Sequence, residues 1–297
     1  MDGTSAKTLP VITQAMIDAY DEYTHLTLDR RALMRRLTTL AGSGAAAAAI
    51  LPLISASKAN AAIIDPADSR IQTSTISIPG PRGELKAYLA MPAAMSAKPP
   101  AVLIIHENRG LNAHIEDVAR RAAADGFIAL AVDFLSVSGG TPQDEDKARA
   151  MIGELKPDDT TADAVAAVEY LKALPEANGK VGAIGFCWGG GLVNRLAAST
   201  PDLGAGVAYY GRQLEADMVP QIKAALLLHY AGLDDRINAG IEDYRKALEA
   251  NGKDFTIQIY DGVNHAFNND TSAARYDKAA SDLAWSRTVE FLKSKLD

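Results

Sequence analysis

The chain of 297 residues has 48% hydrophobic side chains, a formal net charge of −7 and a single cysteine. That is apolar material enough for one large domain or two small ones, and a lone thiol excludes an internal disulfide framework. No lysine- or arginine-rich block lies beyond the N-terminal region. No nucleic-acid partner is therefore expected, because phosphate binding needs a concentrated basic face.

Residues 11–23 (VITQAMIDAYDEY) read as a short helix. Arg30-Arg31 and Arg35-Arg36 follow, then an uncharged, alanine- and leucine-rich run from Leu37 to Ser57, then Ala59-Asn60-Ala61. A basic region, an apolar region and a small-x-small site together predict an export signal over residues 1–61. Arg30-Arg31 before Ala-Leu-Met resembles a twin-arginine signal, which places the mature protein in the periplasm. The alternatives are an alanine-rich helix of the folded protein or a membrane anchor, leaving the chain cytoplasmic or membrane-attached. Gly42, Gly44 and Pro52 interrupt the run, so no stable membrane span is expected in the mature form.

The body, residues 62–297, is regular from residue 71 onward. TSTISI (73–78) and ELKAYLAM (84–91) flank the turn-forming PGPRG and predict a hairpin. AVLIIH (101–106), FIALAVDF (127–134), KVGAIGF (180–186), GAGVAYY (204–210), AALLLHY (224–230) and FTIQIY (255–260) are apolar runs of strand length. Helical spacing fills the intervals at 112–126, 160–174, 190–200 and 241–252, and a last helix covers 278–296. Strands alternating with helices predict an α/β fold with a mostly parallel central sheet and helices on both faces. Ligands of such sheets bind at the carboxyl ends of the strands.

At one of those ends lies GFCWGGG, residues 185–191, which holds the only cysteine. Gly185-x-Cys187-x-Gly189 is the G-x-S-x-G elbow with sulfur in place of oxygen. Glycines are needed there because a strand turning sharply into a helix strains the central residue. The following helix N-terminus favours a thiolate, and the Trp188 N–H points where an oxyanion forms. The competing reading, a small buried core thiol, does not account for the glycines. A thiol needs a base. His25 lies in the export-like segment, His114 within a helix, and His229 inside an apolar run that suits a hydrogen-bonded core imidazole. His106, before Glu107, suits a site-lining position. His265 follows the last strand, in the loop expected to carry a base over the elbow. The acid should lie between them in sequence, at Asp234 or Asp235, with Asp133 a rival that breaks the order. His106, Glu107 and His114 lack compact ligand spacing, so no metal is expected.

These motifs, with HENRGLN (106–112), VAYYGR (207–212), LHYAGLDDRI (228–237) and YDGVNHAF (260–267), resemble the dienelactone hydrolase (carboxymethylenebutenolidase) family of α/β-hydrolases. The resemblance covers about residues 71–297. It implies a Cys187–His265–Asp234 triad that hydrolyses a small lactone or ester without a cofactor. It also implies an oxyanion hole from the N–H groups of Trp188 and Asn108, and a gating role for Glu107, which holds the resting thiol until substrate binds. The family's founding enzymes hold a substrate carboxylate with arginines after the strand matching 127–134 and just past the histidine. Here those stretches read FLSVSGG and HAFNND, leaving Arg109, Arg212 or Arg236 to receive an anion. A short-chain carboxylesterase or thioesterase, or a silent binding protein on the same scaffold, are the other expectations.

Overall fold

A computed structural model describes residues 11–25, 27–55, 63–95 and 97–297. Eight strands form one sheet: β1 (Ile71–Gly80), β2 (Gly83–Pro92), β3 (Ala101–Ile105), β4 (Ile128–Val132), β5 (Val181–Phe186), β6 (Leu203–Tyr209), β7 (Ala225–Ala231) and β8 (Phe255–Tyr260). Their order is β1-β2-β4-β3-β5-β6-β7-β8. The β1–β2 hairpin is antiparallel, β2 meets β4 antiparallel, and every other pair is parallel. Every residue of β3, β4, β5 and β7 is buried.

The continuous apolar runs have a direct cause. Successive side chains of a strand point to opposite faces, and here both faces are covered. Leu103 and Ile105 pack on one side with Ala164, Val168, Leu192 and Leu196. Val102 and Ile104 pack on the other with Ile115, Val118, Ala284 and Leu292. The helices responsible are α6 (Pro157–Ala173) and α7 (Trp188–Ser199) on the first face, and α4 (Ala113–Ala124) and α10 (Lys278–Leu296) on the second. Helix α9 (Ile241–Ala250) joins the first face, and the short α8 (Asp235–Asn238) follows β7. A helix the spacing did not suggest, α5 (Glu145–Gly153), lies in the polar stretch after β4, capped by the Asp144 carboxylate on the Asp146 and Lys147 N–H groups.

Ahead of the sheet stand α1 (Gln14–Thr24), α2 (Arg30–Ala41) and α3 (Gly44–Ile54). Asp29 and Ser43 cap α2 and α3, and Gly42 ends α2 at φ 76°. The two axes differ by 111°, and no single helix among the described residues is long and apolar enough to cross a membrane. Met16, Tyr20, Leu33, Leu37, Ile50 and Ile54 form a small core of their own, against which Ala274 of the body packs. The cleavage-like residues 59–61 lie outside the described residues.

Candidate active site

Since β4 and β5 lie on opposite sides of β3, the chain's direction of winding reverses at β3, and a crevice opens beyond the strand ends there. Cys187 emerges into this crevice from β5, with φ 55° and ψ −113°. A Cβ on Gly185 would stand 2.2 Å from the Gly189 carbonyl oxygen, and one on Gly189 would stand 2.5 Å from the His106 carbonyl oxygen. Both positions accept only glycine. Among the described residues, the non-glycine residues with left-handed φ are Cys187, Tyr210 (40°) and Ala266 (64°). All three are at this crevice or beside His265, and strain of this kind collects where the surroundings over-determine geometry.

Beyond β8, His265 is 5% exposed, and its Nδ1 lies 2.5 Å from Asp234 Oδ2. Of the two adjacent acids after β7, Asp234 turns inward and also caps α8 through the Ile237 N–H, while Asp235 is exposed. Asp133 is spent on its own loop, accepting from the Leu135 and Thr141 N–H groups and the Thr141 hydroxyl. His229 is the buried core imidazole expected, between Thr288 Oγ1 (3.1 Å) and the Tyr260 hydroxyl (2.9 Å). His106 stacks on Trp188 with centroids 5.3 Å apart, and its Nε2 accepts from the Phe134 N–H. It thus packs behind the crevice rather than acting in it.

The other sequence candidates divide. Glu107 is buried, but its carboxylate accepts from Asn269 Nδ2 (2.8 Å) and from the Tyr210 hydroxyl (3.4 Å). A Glu107 bond to the thiol is not among the hydrogen bonds of the described residues. The partner found at Cys187 Sγ is instead His25 Nε2, at 3.4 Å. Arg109 is 4% exposed and donates to the Tyr20 hydroxyl at 2.9 Å, so it faces α1. Arg212 and Arg236 do line the crevice, a cavity of about 190 Å³ with Cys187, Trp188, Tyr210 and His265 in its wall. Asn108 lines it too, its side chain donating to the Thr24 carbonyl at 2.5 Å. Trp188 opens α7 immediately after the thiol, which puts its N–H in the first turn, where helix N–H groups lack intrahelical partners.

His25, which the sequence offered only as a base to be set aside, lines the crevice, as do Tyr210 and Arg149, which the sequence did not single out, and Asn269 supports Glu107 behind it. Their signals were faint. Only Asp21 and His25, four apart on a helix and so on one face, form a pattern. Burial pushes the Cys187 thiol up, but His265 and His25 outweigh burial and bring it down to about 6. Burial likewise opposes a charged His265, yet Asp234, Asp21 and Cys187 raise it well above the usual imidazole range. His265 carries this proton against a buried carboxylate, and its Nε2 has no hydrogen-bond partner among the described residues. Sγ and one nitrogen of each imidazole lie within 4.8 Å of one another, a spacing a divalent cation would span. The Arg236 guanidinium stands 2.9 Å from His25 Nε2, however, and fixes a positive charge where the ion's own charge would fall.

A sharp strand-to-helix elbow of this type at the switch point of such a sheet, with an aspartate after β7 paired to a histidine after β8, defines an α/β-hydrolase fold. The crystal structure named "Putative Dienelactone Hydrolase" from Klebsiella pneumoniae superposes with TM-score 0.69 at 27% identity, covering 75% of this chain and 98% of that one. The profile of the dienelactone hydrolase family matches residues 85–296, and the chain belongs to that family. It is accordingly a hydrolase of the ester- and lactone-cleaving class. A relative from Saccharolobus solfataricus is 31% identical over 248 residues, covering 71% of this chain and 94% of its own. One from Escherichia coli O157:H7 is 29% identical over 246 residues, covering 78% and 90%. Both bear the name "Putative carboxymethylenebutenolidase".

Proposed function

We propose that the protein hydrolyses a small lactone or ester, with Cys187 as nucleophile, His265 as acid and base, and Asp234 as the group that orients His265. The observation that carries this reading is a thiol on a left-handed elbow facing an imidazole locked to a buried carboxylate. The thiolate sulfur bonds to the carbonyl carbon, and the carbonyl π pair moves to oxygen. The N–H groups of Trp188 and Asn108 receive that oxyanion. Its collapse breaks the C–O bond to the leaving oxygen, which takes the proton of the His265 imidazolium. Neutral His265 then accepts a proton from water, whose oxygen attacks the thioester. The second collapse returns the thiolate and releases the carboxylic acid. No step calls on a cofactor. Arg212 and Arg236 at the crevice suit a substrate that carries its own carboxylate.

The test is turnover of a dienelactone, a neutral lactone and short p-nitrophenyl esters by wild type, Cys187→Ala and His265→Ala. Loss of turnover in both variants is expected, together with preference for the anionic lactone. A Cys187→Ala protein as active as wild type would overturn the thiol mechanism. For location, the docking of α1 on Arg109 and Arg149 supports the alternative in which residues 1–61 are retained and the chain stays cytoplasmic or membrane-attached rather than cleaved and periplasmic, which fractionation of the native cell checks.

A further inference from the structure

The crevice holds a second imidazole for which the mechanism above has no role. His25, one residue past the end of α1, meets His265 edge to face with ring centroids 4.7 Å apart at 88°. Its Nε2 is 3.4 Å from Cys187 Sγ, and its Nδ1 is 2.8 Å from the Asp21 carbonyl oxygen and 3.3 Å from Asp21 Oδ2. Helix α1 lies outside residues 85–296, the span of the family match. The contact is therefore a feature of this chain's N-terminal segment.

The body is built to receive α1. Arg109, Arg149 and Arg275 are each 4–5% exposed. Arg109 donates to the Tyr20 hydroxyl. Arg149 donates to the Tyr23 carbonyl and lies 3.9 Å over the Tyr23 ring. Arg275 lies over the Tyr20 ring and 3.8 Å from Asp21 Oδ1. Without α1, three guanidinium groups would lose partners they meet in buried surroundings, a costly loss for a charge. A segment that is merely passing through does not leave such a socket.

We propose that α1 is a standing part of the active site and that His25 is a second catalytic imidazole, taking the proton of Cys187 and holding the sulfur as thiolate between turnovers. This rests on the reading of Cys187 as nucleophile. The S–H bond breaks, its electron pair stays on sulfur, and the proton goes to His25 Nε2. When His25 is neutral, Nε2 accepts from Arg236 at 2.9 Å. Nε2 has a single lone pair, so Arg236 first turns to the Asp21 and Asp234 carboxylates, already 3.8 and 3.9 Å away, and the freed lone pair takes the thiol proton. The charged groups facing the pair are Asp21 on α1, Glu107 and Arg109 after β3, Arg149 on α5, Arg212 after β6, Asp234 after β7, Arg236 on α8, His265 after β8 and Arg275 ahead of α10. Burial opposes a charge on His25, and Cys187 and Asp21 overcome it, raising the imidazole to about 9. Both imidazoles then flank the sulfur as cations, each with a carboxylate behind it.

Because the chain has one cysteine, alkylation by iodoacetamide reports on a single sulfur and needs no substrate. The experiment follows its rate from pH 5 to 9, by intact mass, in full-length wild type, His25→Gln and Asp21→Asn, with circular dichroism as the check on folding. In His25→Gln the midpoint moves up, and the rate at pH 6 falls about fivefold for the first pKa unit gained and about tenfold for each further unit. Asp21→Asn moves the midpoint the same way by less, and it carries the test if His25→Gln does not fold. Folded variants that alkylate along the wild-type curve overturn the proposal. If Cys187→Ala still hydrolyses esters while the alkylation curves shift, the hydrolase mechanism fails and the His25–Cys187 pairing stands. Intact mass of the protein from its native cell adds a second check: a chain beginning after residue 61 overturns the standing role of α1.

Discussion

At Gly185 the side chain that is absent matters more than most that are present. A β-carbon there meets backbone, not a flexible side-chain tip, so nothing yields cheaply. Gly185→Ala is expected to cost about 1–3 kcal/mol, the range for overpacking, as a lower urea midpoint at unchanged slope. Asp234→Asn tests the other side of the crevice. The variant keeps the shape but loses the charge that holds the His265 proton and tautomer, so kcat is expected to fall about 10²–10⁴-fold with little change in the circular dichroism spectrum. The pH dependence has a definite sign. In the proposed mechanism the thiolate is the reacting form, and Cys187 is brought to about 6, so kcat/KM should fall on the acid side with an apparent pKa near that value. An acid limb centred on the ordinary thiol value of about 8.5 would contradict the two-imidazole arrangement.

Helix α1 shows how a peripheral element becomes part of a site. Its propensity alone would not hold an isolated helix of this length, and its order comes from what it docks against. The Arg149–Tyr23 stack is the best-defined of these contacts, worth roughly 1–2 kcal/mol if desolvated. Arg149→Ala is therefore expected to speed amide exchange across residues 14–24 while leaving β3 to β7 protected. Uniform exchange in both proteins would mean that α1 is held by its apolar face with α2 and α3 instead. The same docking explains why Arg109, expected to receive an anion, faces α1 instead: its guanidinium is engaged with Tyr20 and lies 3.5 Å from Glu145.

Across the whole molecule, buried titratable groups make stability fall on acidification. Burial, aided by Arg287, pushes the His229 imidazole down to about 3. An unfolded histidine takes its proton near pH 6.5, so the contribution of His229 is full above that pH and is lost as the pH falls toward 3. Burial works against the Asp21 and Asp234 carboxylates, but the His265 cation holds both below the usual range. Their contribution is full above about pH 4 and is lost as pH falls through the folded values. These signs agree, and each proton taken up only on unfolding contributes about 1.4 kcal/mol per pH unit. His265, raised, acts oppositely: its contribution is full below about 6.5 and is lost as pH rises through its folded value. Urea midpoints should therefore drop from pH 6.5 to 4.5, and a flat profile over that interval would count against this account.

What the sequence determined by itself is what depends on neighbours along the chain. The strands were legible because burial on both faces writes a continuous apolar run. The elbow was legible because its strain demands glycine at fixed offsets from Cys187. The choice between Asp234 and Asp235 came only from the family resemblance, since adjacent residues share a loop and it is the turn into α8 that decides which faces His265. The partners of Glu107, Asn269 and Tyr210, come from two loops far away in the chain. His25 was the least legible: a histidine in a segment that reads as an address gains meaning only when α1 seats on buried arginines and brings its imidazole to the sulfur. Sequence patterns record each element's own demands, whereas contacts between elements distant in the chain are fixed by packing, and packing brought His25 and Cys187 together.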